Sequence, residues 1–215
     1  MSEILTPAQV GAAGLADWRQ LFHALQTRYA TGDFATGLAL LTEIGRAAEE
    51  ADHHPDLDLR YGHLNVRLYS HDAGGVTRRD LRLAQRISEL AAARGVVAVP
   101  QLLSAAEVAL DTPDRARVEP FWRAVLAEPQ PHEGEVRDDS GDLPRLWFQA
   151  SGSEEPRQRF HLDVMVPSDQ ARARIEAALA AGGVLVDDGM APTFTVLADP
   201  DGNRVCVCTM EGRDG

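Results

Sequence analysis

The sequence predicts an α+β fold in two parts, and three observations favour this class. Residues 63–71, HLNVRLYSH, alternate apolar and polar side chains as a half-buried strand does. Helical stretches begin on either side of it, one after Asp33 and one at the T-x-x-D capping pattern of Thr77 and Asp80. Beyond residue 104, a strand, a capped turn and a helix follow one another twice, about 54 residues apart.

These elements assign the chain to two domains. We expect residues 1–96 to form an antiparallel sheet with helices packed on one face. The helix after Asp33 should carry its apolar face on Phe34, Leu38, Leu41 and Ala48 and end before Pro55. Residues 104–211 should form the second domain, because two repeats are too few for a solenoid.

The composition excludes several classes of partner. The chain has 215 residues, with 33 acidic against 21 basic side chains and a formal net charge of −12. A surface of this charge repels phosphate backbones and anionic bilayers, so we expect neither nucleic acid nor a membrane as partner. No secretory signal and no apolar run of about 20 residues is present, which favours a cytoplasmic bacterial protein with Cys206 and Cys208 reduced.

Four of the seven histidines lie within residues 51–71. His53 and His54 follow the C-terminus of a predicted helix, where the helix dipole favours a protonated imidazole by about 0.3–1 kcal/mol. Zinc is one interpretation, but adjacent histidines diverge in extended chain and no HExxH, CxxC or HxH pattern is present. Any one histidine is ordinarily a loop residue satisfied by solvent or backbone. Metal-free acid–base catalysis is the hypothesis that uses His53, His54 and His71 together.

The spacing of these residues resembles that of the pterin-4a-carbinolamine dehydratases over about residues 4–94. This resemblance implies a hydro-lyase that removes water from 4a-hydroxytetrahydropterin. The reaction regenerates the pterin cofactor, tetrahydrobiopterin, that aromatic amino acid hydroxylases consume. The product would be the quinonoid dihydropterin, formed without a cofactor. The positions that carry the resemblance are Glu49, His53, His54, Pro55, Tyr61, His71 and Asp80.

The resemblance implies a role for each polar member of the set. It makes His53, His54 and His71 catalytic, and it makes Asp80, Glu49 and Tyr61 substrate-binding. From the residues themselves, Asp80 could complete the helix cap at Thr77 or orient a histidine, and Glu49 should pair with His53 or an arginine. Tyr61 is expected to pack or to line the site. We expect the three catalytic side chains to converge on one metal-free pocket.

The second half resembles a glyoxalase-like domain of the vicinal oxygen chelate superfamily, through FWRAVL, HLDVMV and LADPDGNRVCVC. This resemblance implies paired βαβββ modules, and it makes Glu107 and His161 candidate metal ligands. Cys206, however, stands where a glutamate follows DPDG in metal-binding relatives, and a lone thiolate replaces such an oxygen ligand poorly. We therefore expect no metal, and a small-molecule pocket or a docking domain in this half.

Two other functions stay open at this point. The activity could lie in the glyoxalase-like half, as small-molecule binding or metal-dependent catalysis, with the first domain as scaffold or dimerisation module. Alternatively, the chain could be a dimerising partner or regulator of other proteins, as some relatives of the dehydratases are. In each case we expect a homo-oligomer.

Overall fold

Each half of the chain is built around its own β-sheet. The computed structural model describes residues 3–125, 134–137, 144–151, 160–198 and 204–213. The chain divides into two compact units, one of residues 1–104 with 167–170 and 209–215, the other of residues 105–166 with 171–208. Both combine helices with sheet, which confirms the predicted α+β class. In the described ranges, none of the helices has both the length and the apolar content that a membrane span requires.

Among its described residues, the first unit contains three helices and five strands, with a short 3₁₀ turn at Pro100–Leu102. Its strands pair antiparallel in the order β1-β2-β4-β3, and β5 adds to β2. In chain order the elements are α1 (Pro7–Ala12), β1 (Arg19–Leu21), β2 (Ala24–Ala30), α2 (Phe34–Ala51), β3 (Asp56–Arg60), β4 (His63–Leu68), α3 (Arg78–Ala93) and β5 (Val97–Ala98).

The buried face of α2 agrees with the prediction only in part. Ala48 is buried and Leu41 packs against the core, but Phe34 and Leu38 are 50% and 48% exposed. The buried face instead runs through Gly37, where an added Cβ would lie 2.5 Å from Cδ1 of Leu59 on β3. The helix backbone therefore approaches the sheet closely at this glycine. Further along the helix, the core is filled by Leu40, Ile44, Ala47 and Ala48.

Strand β4 alternates as the sequence predicts. Leu64, Val66 and Leu68 are buried, and the residues between them are half-buried. The strand ends at Leu68, earlier than expected, because the chain folds back at Ser70, which forms a bridge to Gly75. The prediction that His71 continues the polar face of the strand is therefore wrong, and His71 lies in the turn that follows.

The second unit contains a seven-stranded sheet in the order β10-β11-β12-β9-β6-β8-β7. The first strands of the two repeats, β6 and β9, pair antiparallel at its centre, and each is followed by a helix as predicted. Residues 199–203, the DPDGN of the resemblance, lie outside the described residues. The elements are β6 (Ala105–Thr112), α4 (Arg115–Val125), β7 (Glu135–Val136), β8 (Leu146–Ala150), β9 (Phe160–Met165), α5 (Ser168–Ala180), β10 (Val184–Asp187), β11 (Phe194–Ala198) and β12 (Arg204–Cys208).

The two faces of this second sheet differ in polarity. On one face, Leu110 packs with Val118 of α4, and Val207 packs in a separate cluster with Ile175 of α5. Side chains on a strand alternate between faces, so the residues between these apolar positions point to the opposite side. The other face consequently carries polar side chains on three neighbouring strands, namely Glu107, Asp111, His161, Asp163 and Cys206.

Candidate active site and a second polar cluster

The centre of the first candidate site is the carboxylate of Asp80, which is completely buried. Its Oδ2 accepts hydrogen bonds from the backbone N–H of Thr77 at 2.7 Å and from the hydroxyl of Ser70 at 2.7 Å. Its Oδ1 lies 2.7 Å from Nε2 of His53. The carboxylate therefore performs both tasks that the sequence suggested for it, because it caps α3 and it holds a histidine.

His53 is fixed by this contact. The ring is only 7% exposed, and Asp80 acts as an acceptor towards each of its neighbours, so Nε2 of His53 donates the hydrogen. In a neutral imidazole that arrangement leaves the lone pair on Nδ1. The chain turns inward at this point because Asp52 adopts a left-handed conformation, with φ of 46°, immediately after α2.

His54 points the other way, as expected for adjacent residues of extended chain. Its Nε2 lies 3.1 Å from Oε1 of Glu49, and the two side chains are 57% and 79% exposed. The prediction that Glu49 pairs with His53 or an arginine is therefore wrong. Glu49 contacts His54, and His53 is hydrogen-bonded to Asp80 instead. An exposed ion pair of this kind contributes at most about 1 kcal/mol to stability, so the contact orients His54 more than it holds the fold.

The two remaining predicted residues lie at the surface. His71 is exposed, and its ring meets Tyr69 edge-on with the centroids 5.1 Å apart. Tyr61 is 80% exposed in the turn between β3 and β4, so the expectation that it packs against the protein is wrong. Contact of Tyr61 with a bound substrate stays a prediction.

The structure brings some of these residues together and leaves others apart. His53 is joined through Asp80 to Ser70, the residue before His71, whereas His54 makes its contact with Glu49. A single pocket shared by the three histidines stays a prediction. A shallow groove of about 690 Å³ lies elsewhere in this unit and is lined by Ala35, Thr36, Ala39, Glu43, Ala93 and Arg94. None of the predicted site residues lines this groove.

A second group of titratable side chains lies on the polar face of the second sheet. His161 stands between two carboxylates, with Nδ1 3.6 Å from Oδ1 of Asp111 and Nε2 3.5 Å from Oδ1 of Asp163. Trp147 donates a hydrogen bond of 3.1 Å from Nε1 to the other oxygen of Asp163. Donor atoms of His161, Asp163 and Cys206 all lie within 4.8 Å of one another.

Of the two residues that the resemblance offers as metal ligands, only His161 belongs to this group. Glu107 lies 3.8 Å from the guanidinium of Arg145. Burial, reinforced by the negative charge of Asp163, raises the pKa of the Cys206 thiol to about 12. The sequence analysis did not predict Asp111 and Asp163 as site residues. The pattern that could have indicated them is the even spacing of Asp111 from Glu107 and of Asp163 from His161, which places each pair on one face of a strand.

Comparison with known proteins identifies the two halves. Residues 3–90 match the family model described as pterin 4 alpha carbinolamine dehydratase, and residues 107–208 match the model of a glyoxalase-like domain. A relative from Thermosynechococcus vestitus, named for pterin-4-alpha-carbinolamine dehydratase, is 39% identical over 93 residues, which are 42% of this chain and 98% of the relative. Through its first half, the chain belongs to the pterin-4a-carbinolamine dehydratase family, and a glyoxalase-like domain follows.

Solved structures resemble the two halves separately. One is described as a transcriptional coactivator/pterin dehydratase from Brucella melitensis; it is 27% identical, covers 41% of this chain and 99% of its own, and has a TM-score of 0.40. Another is a glyoxalase/bleomycin resistance protein/dioxygenase superfamily member from Vibrio splendidus, 12% identical, covering 50% of this chain and 99% of its own, with a TM-score of 0.35.

Proposed function

We propose that the first half catalyses the dehydration of 4a-hydroxytetrahydropterin to the quinonoid dihydropterin, with tetrahydrobiopterin as the parent pterin. The observation that carries the proposal is the arrangement of the histidine motif. His54 and His71 are exposed to solvent, and His53 is held by a fully buried carboxylate. Family membership of residues 3–90 supports the same reaction class.

The reaction requires one proton to be given and one to be taken. The bond between C4a and its hydroxyl oxygen breaks, the hydroxyl leaves as water after it gains a proton, and a ring nitrogen loses a proton. No electron acceptor is needed. Two imidazoles can perform both transfers, one as acid and one as base, and each well-placed acid or base accelerates such a step about 10²–10⁴-fold. We assign these transfers to His54 and His71, because their rings are accessible.

The other residues of the motif have supporting roles in this proposal. His53 is 7% exposed and Asp80 is completely buried, so we assign them the role of fixing the segment that carries His54 and the turn that carries His71. Glu49 orients the ring of His54 through its contact with Nε2. Tyr61 offers the pterin an exposed aromatic ring.

A stopped-flow assay of 4a-hydroxypterin breakdown tests the proposal. We expect the wild-type protein to accelerate breakdown, and we expect His54→Ala and His71→Ala each to lower kcat by about 10²–10⁴-fold. His63→Ala is the matched control, since His63 lies between them in the sequence on β4 but outside the motif; its kcat should change less than threefold.

Two results would contradict the proposed function. One is a wild-type rate equal to the uncatalysed decay of the 4a-hydroxypterin. The other is an equal loss of kcat in His54→Ala and His63→Ala, which would mean that general disturbance of the segment, and not a motif histidine, limits the rate.

A further inference from the structure

We propose that the second unit contains a zinc site of its own, formed by His161, Asp163 and Cys206. The site lies on the polar face of the seven-stranded sheet and is independent of the pterin reaction proposed for the first half. It differs from the ligand set that the glyoxalase resemblance implies, and that difference changes the kind of metal it selects.

The strand register places the three donors side by side. His161 and Asp163 are alternate residues of β9, so they point to one face, and Cys206 on the neighbouring parallel strand is the register partner of Asp163. In tetrahedral zinc coordination, with bonds of about 2.0–2.3 Å, ligand atoms lie about 3.3–3.8 Å apart. His161 and Asp163 are already 3.5 Å apart, and no pair in the group exceeds 4.8 Å. Closing the group requires side-chain movement of about 1 Å.

The surrounding residues orient the ligands as a metal site requires. Asp111 lies 3.6 Å from Nδ1 of His161, which leaves Nε2 for the metal. This distance is too long for a hydrogen bond, but a small approach would complete the carboxylate–histidine–zinc relationship. This oxygen of Asp111 is buried and has no hydrogen-bond partner, so the site has negative charge that a cation would neutralise. Trp147 holds the Oδ2 of Asp163 and leaves its Oδ1 towards His161. Three protein ligands would leave the fourth tetrahedral position open.

The residues present do not fit the oxygen-rich site of the metal-binding relatives. Glu107, the first residue that the resemblance offers, faces the guanidinium of Arg145. Position 206 supplies a sulfur atom where those relatives have a glutamate. Thiolate and imidazole select zinc-like ions, whereas magnesium and manganese prefer carboxylate, carbonyl and water ligands. The replacement therefore changes the metal that is bound and does not simply remove it.

Cobalt substitution in the full-length protein tests the site. After treatment with a chelator, the protein is titrated with Co²⁺, whose bond to a thiolate produces a charge-transfer band in the near ultraviolet. We expect one equivalent of Co²⁺ per chain, a charge-transfer band, and displacement by one equivalent of Zn²⁺ with loss of the band. Magnesium in excess should not displace the cobalt.

Substitutions locate the ion. Cys206→Ala should abolish the band, and His161→Gln should weaken binding at least 100-fold. Cys208→Ala is the matched control, because Cys208 is buried two residues further along the same strand; it should keep the band. Glu107→Gln separates this site from the ligand set of the relatives and should also keep it. The double variant His54→Ala, His71→Ala should bind normally, which separates the result from that on pterin turnover.

The inference is overturned if wild-type protein takes up no stoichiometric Co²⁺ or Zn²⁺. A band that survives Cys206→Ala, or that is lost in Glu107→Gln or in the double histidine variant, also overturns it. Circular dichroism checks that each variant is folded. If Cys206→Ala does not fold, His161→Gln decides, since the band must then weaken in a folded protein that retains both cysteines.

Discussion

Nε2 of His53 lies 2.7 Å from Oδ1 of the fully buried Asp80, so the end of α2 is joined to the first turn of α3 by a buried hydrogen bond. The same carboxylate accepts hydrogen bonds from Thr77 and Ser70. Such a group stabilises a fold only while each partner is present, because removal of one leaves the others buried without a partner.

Asp80→Ala should therefore be strongly destabilising. We expect the free energy of unfolding to fall by about 2–4 kcal/mol, since His53, Ser70 and the N–H of Thr77 all lose their acceptor. Chemical denaturation measures the change. Asp72→Ala is the control, because Asp72 pairs with Arg79 at the surface, and the loss there should be much smaller than in Asp80→Ala. Equal losses in the two variants would show that the buried network is not the cause.

Two glycines of α2 should respond oppositely to alanine. A Cβ on Gly37 would lie 2.5 Å from the Leu59 side chain, whereas a Cβ on Gly45 would have no atom within 4 Å. Gly45→Ala should gain up to about 1 kcal/mol from helix propensity, and Gly37→Ala should be about 1–3 kcal/mol less stable than Gly45→Ala because the helix or Leu59 must shift. Urea unfolding of both variants tests this. Identical midpoints would show that α2 does not lie against β3 as described.

Alkaline pH should destabilise the first unit through Tyr29. Burial raises the pKa of its phenol from 10.0 to about 12, with a hydrogen bond to Ser88 opposing the shift. The neutral form is favoured in the folded protein, so this contribution is complete below pH 10 and is lost as the pH rises towards 12. Between these values the wild type should lose about 2–3 kcal/mol relative to Tyr29→Phe. Urea denaturation of both proteins at several pH values provides the measurement. A difference that is independent of pH would contradict the assignment.

Glu49→Gln distinguishes orientation of His54 from catalysis by it. The amide oxygen can still accept a hydrogen bond from Nε2, and both side chains are more than half exposed. We expect the unfolding free energy to change by less than about 0.5 kcal/mol and kcat to fall less than tenfold, which is well below the effect of His54→Ala. Stopped-flow kinetics and urea unfolding give the two values. A kcat as low as that of His54→Ala would make Glu49 a catalytic group.

Local rules predicted the elements of the first unit well. The cap at Asp33, the alternation of β4 and the capping box of Thr77 and Asp80 each depend on residues close in sequence, and each is confirmed. The exposure of Phe34 and Leu38 was not predictable in this way, because the buried face of α2 depends on how closely Gly37 approaches Leu59 on another element. A helical pattern shows which residues share a face, but a close backbone contact decides which face is buried.

In the candidate sites, too, the features that depend on nearby residues were predicted, and those that depend on contacts between distant elements were not. Motif spacing selected His53, His54 and Asp80, but it assigned the wrong histidine to Glu49, because the left-handed turn at Asp52 determines which ring points inward. In the second unit, Asp163 joins His161 and Cys206 only through pairing of β9 with β12, strands about 40 residues apart. The pairing register of two distant strands cannot be predicted from the sequence of either strand alone.

The central pairing of β6 with β9 makes the polar cluster a product of both repeats. Asp111 comes from the first repeat, whereas His161, Asp163 and Cys206 come from the second. If the chain were cut between Ser151 and Phe160, Asp111 would lie on one fragment, and His161, Asp163 and Cys206 would lie on the other. Mixing the fragments would restore the complete cluster only if the two repeats recombine, so a metal signal would report their reassembly.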